Sequence, residues 1–86
     1  RTVLITNKRG LHARASAKFV TMASGAGARV EVEKDGSKVV GTSIMGLMML
    51  GAAMGDEITI SANGEGAEAA VSSLAELVEA KFHEAE

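Results

Sequence analysis

The chain has 86 residues, with nine Lys or Arg against eleven Asp or Glu and a formal net charge of -2. That length allows one small domain, residues 1–86, without a separate substrate-binding unit. The absence of Cys rules out a disulfide scaffold or a thiolate zinc site, and no apolar run approaches the roughly 20 residues that span a bilayer. Two Phe, no Trp and no Tyr leave a core of Val, Ile, Leu, Met and Ala. The same scarcity of aromatics, with the weakly acidic balance, makes nucleic acid an unsuitable partner. The sequence begins at Arg1 with neither a Met nor a signal-like stretch, so a native leader would lie outside it.

Thr2 to Thr6 reads as a β-strand and Asn7 to Gly10 as a turn. From Ala13 to Ser24 the apolar spacing predicts a helix with Ala15, Phe19, Met22 and Ala23 on one face. Gly25-Ala26-Gly27 ends it. Arg29 to Glu33 alternates with period two, and Asp35-Gly36 is a strong hairpin signal returning through Ser37 to Gly41. Ser43 is placed to cap a short helix from Ile44 to about Leu50. After a loop to Asp56, Glu57 to Ser61 alternates again, and Asn63-Gly64 breaks the strand. The last helix is expected from about Ala67 to Phe82. It buries Ala67, Ala70, Val71, Leu74, Leu77 and Val78 and leaves Glu68, Glu76 and Glu79 outside. The order βαββαβα implies an α+β open-faced sandwich: a four-stranded antiparallel sheet with three helices packed on one face.

The chemistry concentrates in Gly10-Leu11-His12-Ala13-Arg14. If His12 is the N-cap residue, its ring sits where the first helical N–H groups point outward unpaired. The positive end of the helix disfavours a protonated imidazole. A phosphoryl group on the ring would bring negative oxygens to those amides, with Arg14 able to neutralise part of their charge. Lys8, Arg9 and Lys18 add to the local basic cluster, and no carboxylate lies near His12 in sequence. One arginine at an exposed helix end is a moderate grip, which suits relay better than hydrolysis. A lone His-x-Arg is nonetheless more often a polar turn residue beside a solvated side chain.

The stretch Asn7 to Val20 also closely resembles the active-site segment of the HPr phosphocarrier proteins of the bacterial phosphoenolpyruvate-dependent phosphotransferase system. The resemblance extends through Gly41 to Leu50 and Gly55 to Ile60, nearly the whole chain. It implies that His12 is phosphorylated through Nδ1, with Arg14 its partner in transfer, in a cytoplasmic carrier that is not itself an enzyme. It implies receipt from enzyme I and donation to an EIIA domain, with no cofactor, no metal and no direct membrane contact, by a protein acting as a monomer. One departure stands out. Many family members have Pro and then Ala where this chain has Ala15 and Ser16, so a less rigid first turn is expected.

Gly41 to Leu50 also resembles the family's regulatory region. In many bacteria the serine matching Ser43 is modified by a dedicated serine kinase/phosphorylase, and a phosphate there would add nearly two negative charges at a helix start. A plain N-cap serine worth about 1 kcal/mol is compatible with that role. The short helix carries more Ile, Leu and Met than it can bury. Some of Ile44, Met45 and Met48 are therefore expected to face solvent or a partner, unless all of them fill core gaps left by missing aromatics. With Ala17, they form the expected docking face near His12 and Ser43.

Gly64-Glu65-Gly66 lacks the residues of a nucleotide loop and reads as a turn. His83 reads as a cation in the last helical turn. Two rivals remain: a regulatory protein-binding module of the same fold, in a nitrogen or carbon control branch, and a generic RNA- or ligand-binding domain. The missing strand aromatics argue against RNA.

Overall fold

The computed structural model describes residues 1–86. Its elements are β1 (Thr2–Leu4), α1 (Ala13–Ser24), β2 (Arg29–Lys34), β3 (Ser37–Val40), α2 (Ile44–Met49), β4 (Glu57–Asn63) and α3 (Ala67–Glu79). All strand pairs are antiparallel, in the order β1-β4-β2-β3. The period-two alternation explains why one face is apolar. Val30, Val32, Ile58 and Ile60 are buried, and Val32 stands opposite Ile60 in the register. On that face α3 packs against β1, β2 and β4, α2 against β3, and α1 lies between the other two helices. The opposite face, carrying Glu31, Glu33 and Thr59, has no covering layer. The expected architecture is therefore the observed one.

Two glycines set the connections. In the Asp35-Gly36 loop both residues have positive φ, 49° and 83°, which matches the right-handed twist of the flanking strands. Gly10 has φ +60°, and a Cβ there would lie 2.2 Å from the Ala52 carbonyl oxygen. The next residue, Leu11, donates its N–H to that same oxygen at 2.9 Å. The loop entering α1 is thereby pressed against the loop leaving α2, fixing where His12 stands.

All seven elements begin where expected, and apart from α3 their C-terminal limits agree or differ by one or two residues; the differences in burial carry more weight. Met22, expected inside, is 38% exposed, while Ser16 is fully buried on the inner side of α1. Ala67 and Val71 are only half-buried, and Ala75 takes a core place on α3 instead. More consequentially, α3 ends at Glu79, short of the expected Phe82. Lys81, Phe82 and His83 form a left-handed turn with φ of 57°, 55° and 58°. This turn folds Phe82 back into the core, where it is fully buried. Left-handed backbone costs roughly 1–2 kcal/mol per non-glycine residue. Burying a Phe side chain returns about 1.5–3 kcal/mol, so further contacts must help hold the tail in place.

Candidate functional site

His12 is the N-cap of α1, with extended backbone (φ -73°, ψ -180°) and no side-chain capping bond. Its carbonyl accepts from the Ser16 N–H at 2.9 Å, closing the first turn. The amides of Ala13, Arg14 and Ala15 are left without a protein partner. Ser16 adds a side-chain tie at this first turn. Its buried hydroxyl donates to the Leu11 carbonyl at 3.1 Å, tying the first turn to the loop before it.

A cleft at this helix mouth is lined by Lys8, Arg9, His12, Arg14, Lys18 and His83, together with the tail residues Glu84 to Glu86. Arg14 is exposed and makes no ion pair within the chain. The Lys18 ammonium donates to the Phe82 carbonyl at 2.6 Å. His83, expected in the last helical turn, instead sits exposed in the left-handed turn, beside Arg14 and Lys18.

The sequence places no acid near His12, but the fold does. The His12 Nε2 is hydrogen-bonded to Glu84 Oε2, a residue 72 positions away. The other Glu84 oxygen accepts from Asn7 Nδ2 at 3.1 Å, and Asn7 is fully buried. Burial alone would push the Glu84 carboxyl up. Hydrogen bonds from His12 and Asn7, with the charges of His12 and Lys18, outweigh it and hold the carboxyl below its ordinary value. Glu86 accepts from the Lys8 N–H at 3.0 and 3.2 Å through its two oxygens. Asn7 and Glu84 escape a linear reading because their meeting depends on the reversal at Lys81 to His83.

Ser43 is the N-cap of α2, and its Oγ accepts from the Gly46 N–H at 3.0 Å. Within α2 only Leu47 is buried. Ile44, Met45 and Met48 are 40%, 67% and 41% exposed, so they do not fill the core; Met49 and Met54 are exposed as well. Ile44 and Met48 stand four residues apart on α2 and Met45 and Met48 three apart, spacings that bring side chains together on a helix surface. Ala17, expected with them, is half-buried in a groove on α1 that includes Thr21, Leu77 and His83.

A histidine at an uncapped helix mouth, on an open-faced βαββαβα sandwich, with a basic cleft around it, defines a small anion-handling carrier domain. The family profile described as "PTS HPr component phosphorylation site" matches residues 1–80. Phosphocarrier protein HPr from Neisseria meningitidis is 46% identical over 85 residues, covering 99% of this chain and 96% of that protein. Phosphocarrier protein NPr from Shewanella violacea is 42% identical, covering 99% of this chain and 93% of that protein. A crystal structure of HPr from Thermoanaerobacter tengcongensis superposes with a TM-score of 0.95 at 45% identity, covering 100% of this chain and 97% of that one. The chain belongs to the HPr family of phosphocarrier proteins, which carry a phosphoryl group and are not enzymes.

Proposed function

We propose that this chain accepts a phosphoryl group on His12 from enzyme I, charged by phosphoenolpyruvate, and passes it to an EIIA domain, acting as a cytoplasmic monomer. The observation that carries the reading is the α1 mouth: an imidazole beside three unpaired amides, in a cleft with an unpaired Arg14. Phosphoryl oxygens delivered there meet N–H donors, the positive end of α1 and a guanidinium fork. The site lies open to solvent on one side, so the bound group remains transferable. Exposed Ile44, Met45 and Met48 form the apolar part of the docking face and Ala17 its α1 edge. A small interface with a basic rim favours fast exchange.

Incubation with phosphoenolpyruvate and enzyme I should place an acid-labile phosphoryl group on His12, mapped by mass spectrometry under alkaline conditions. Retention of that label in His12→Ala would refute the assignment.

Ser43 is proposed as a regulatory phosphorylation site for a serine kinase. Its Oγ already sits at a helix start beside the exposed α2 residues, so a phosphate would place two charges on the docking face. Ser43→Asp should therefore receive phosphate from enzyme I more slowly than the parent. Equal rates would count against regulation by charge at this position. The NPr relative favours a second reading of the downstream step, in which the acceptor belongs to a nitrogen-control branch instead of sugar uptake. Parallel transfer assays with EIIA domains of each branch discriminate the two.

A further inference from the structure

We propose that Glu84 is a positioning residue for His12: its carboxylate accepts the Nε2–H, which leaves Nδ1 unprotonated and aimed for phosphoryl transfer. This rests on the reading of His12 as the acceptor. Three independent features point to Glu84. The first is bonding: Glu84 Oε2 takes the ring at Nε2, and Nδ1 makes no hydrogen bond. An ionised carboxylate can only accept, so the shared hydrogen belongs to the ring, and a neutral imidazole has only one N–H.

The second is the support behind the carboxylate. The buried Asn7 amide donates to Gly10 O at 2.9 Å and to Glu84 Oε1 at 3.1 Å. Its own Oδ1 is buried without a partner. Flipping the amide would set Oδ1 against the Gly10 carbonyl and the Glu84 carboxylate, two acceptors, so the orientation is fixed by chemistry. An unpaired buried acceptor typically costs about 1–3 kcal/mol. Asn7 tolerates it while holding the carboxylate.

The third is backbone strain. Three consecutive non-glycine residues, Lys81 to His83, are left-handed immediately before Glu84. Such conformations persist where surrounding contacts over-determine them, and they cluster at functional sites. Here Phe82 is locked in the core and its carbonyl is held by Lys18.

The step then needs no proton movement at the reacting nitrogen. The Nδ1 lone pair forms the new bond to phosphorus as the donor's bond to phosphorus breaks, and that electron pair leaves with the donor. Nε2 keeps its hydrogen throughout. The ring gains positive charge, which the Glu84 carboxylate offsets. On onward transfer the N–P electron pair returns to Nδ1 and the original tautomer is restored.

The test uses the 15N-labelled full chain at alkaline pH, reading the His12 ring nitrogens by long-range proton–nitrogen correlation. The parent should show the Nε2–H tautomer alone. Glu84→Ala should show both tautomers in exchange, and its labelling by the small donor phosphoramidate should slow by about tenfold, as for loss of a partner that orients an imidazole. Glu84→Gln, whose amide oxygen still accepts, should keep the Nε2–H form and lose less rate. An unchanged tautomer in Glu84→Ala would overturn the proposal, as would faster labelling, which would make the tail an obstruction. If phosphoramidate fails to label even the parent, the acceptor reading falls, while the tautomer spectra still decide what Glu84 does to the ring.

Discussion

The mouths of α1 and α2 are built from the same local geometry and are completed differently. Both N-cap residues are extended, and both helices follow directly. At α2, Ser43 turns its own hydroxyl onto the Gly46 amide, so the helix start is finished by its own cap. At α1, His12 makes no such bond, three amides stay free, and the ring is held from the far end of the chain by Glu84. A side chain that satisfies its helix stabilises the fold. One that leaves the helix unsatisfied keeps a place for a ligand, and the surrounding structure must supply the order.

The largest expected break in this contrast comes from Phe82→Ala. Truncating a fully buried phenyl ring costs about 3–5 kcal/mol. It also removes the anchor that holds the left-handed turn against its own strain. Denaturant unfolding should show that loss, and the amide signals of Lys8, His12 and Glu84 should shift far more than those of Ser43 and Gly46. Equal perturbation at both mouths would mean that the tail does not specifically order α1.

The second break exchanges the logic of the two caps. His12→Ser supplies α1 with a hydroxyl cap worth about 1 kcal/mol, against loss of a partly exposed contact to Glu84 worth about 0.2–1 kcal/mol. The variant should be at least as stable as the parent by thermal unfolding while receiving no acid-labile phosphoryl group. Ser43→Ala should do the reverse, losing about 1 kcal/mol of stability and still accepting the group on His12. A His12→Ser variant less stable than Ser43→Ala would show that the histidine is retained at α1 for stability.

The two mouths also differ in how much of them the sequence reveals. Ser43, Gly46 and the apolar excess of Ile44, Met45 and Met48 lie within a few residues of one another, so capping and exposure follow from local pattern. The α1 helix is legible for the same reason, down to its limits at Ala13 and Ser24. Gly10 reads only as a turn residue, although its lack of a Cβ also permits contact with Ala52. Glu84 is illegible locally. Its approach to His12 requires α3 to stop three residues short of Phe82, and helical periodicity favours continuation there. Burial of one phenyl ring, with Lys18 and Asn7 holding the tail, overrides that preference. Met22 misleads in the opposite direction: its spacing suits a core face, yet the smaller Ser16 occupies the inner side of α1 and bonds to Leu11.

The smallest effect sharpens the comparison through pH. The Glu84 carboxyl is held below its ordinary value, with burial opposing and His12, Asn7 and Lys18 favouring the charged form. The sign follows from linkage. A carboxyl whose folded-state value is depressed stabilises the fold fully above the unfolded carboxylate range, and that contribution fades as pH falls through the lower, folded-state value. Lys8, Arg9, Arg14 and His83 also face this cleft, and as basic groups none of them supplies an anion in place of the lost one. Glu84→Gln should therefore be less stable than the parent at neutral pH, and the gap should narrow as the solution is acidified. Ser43→Ala removes a neutral cap, with no titrating group in the Ser43–Gly46 bond, so its deficit should stay constant over the same range. Paired unfolding curves for the two variants between neutral and acidic pH check this. Parallel curves would show that the Glu84 charge contributes nothing to holding the tail at the α1 mouth.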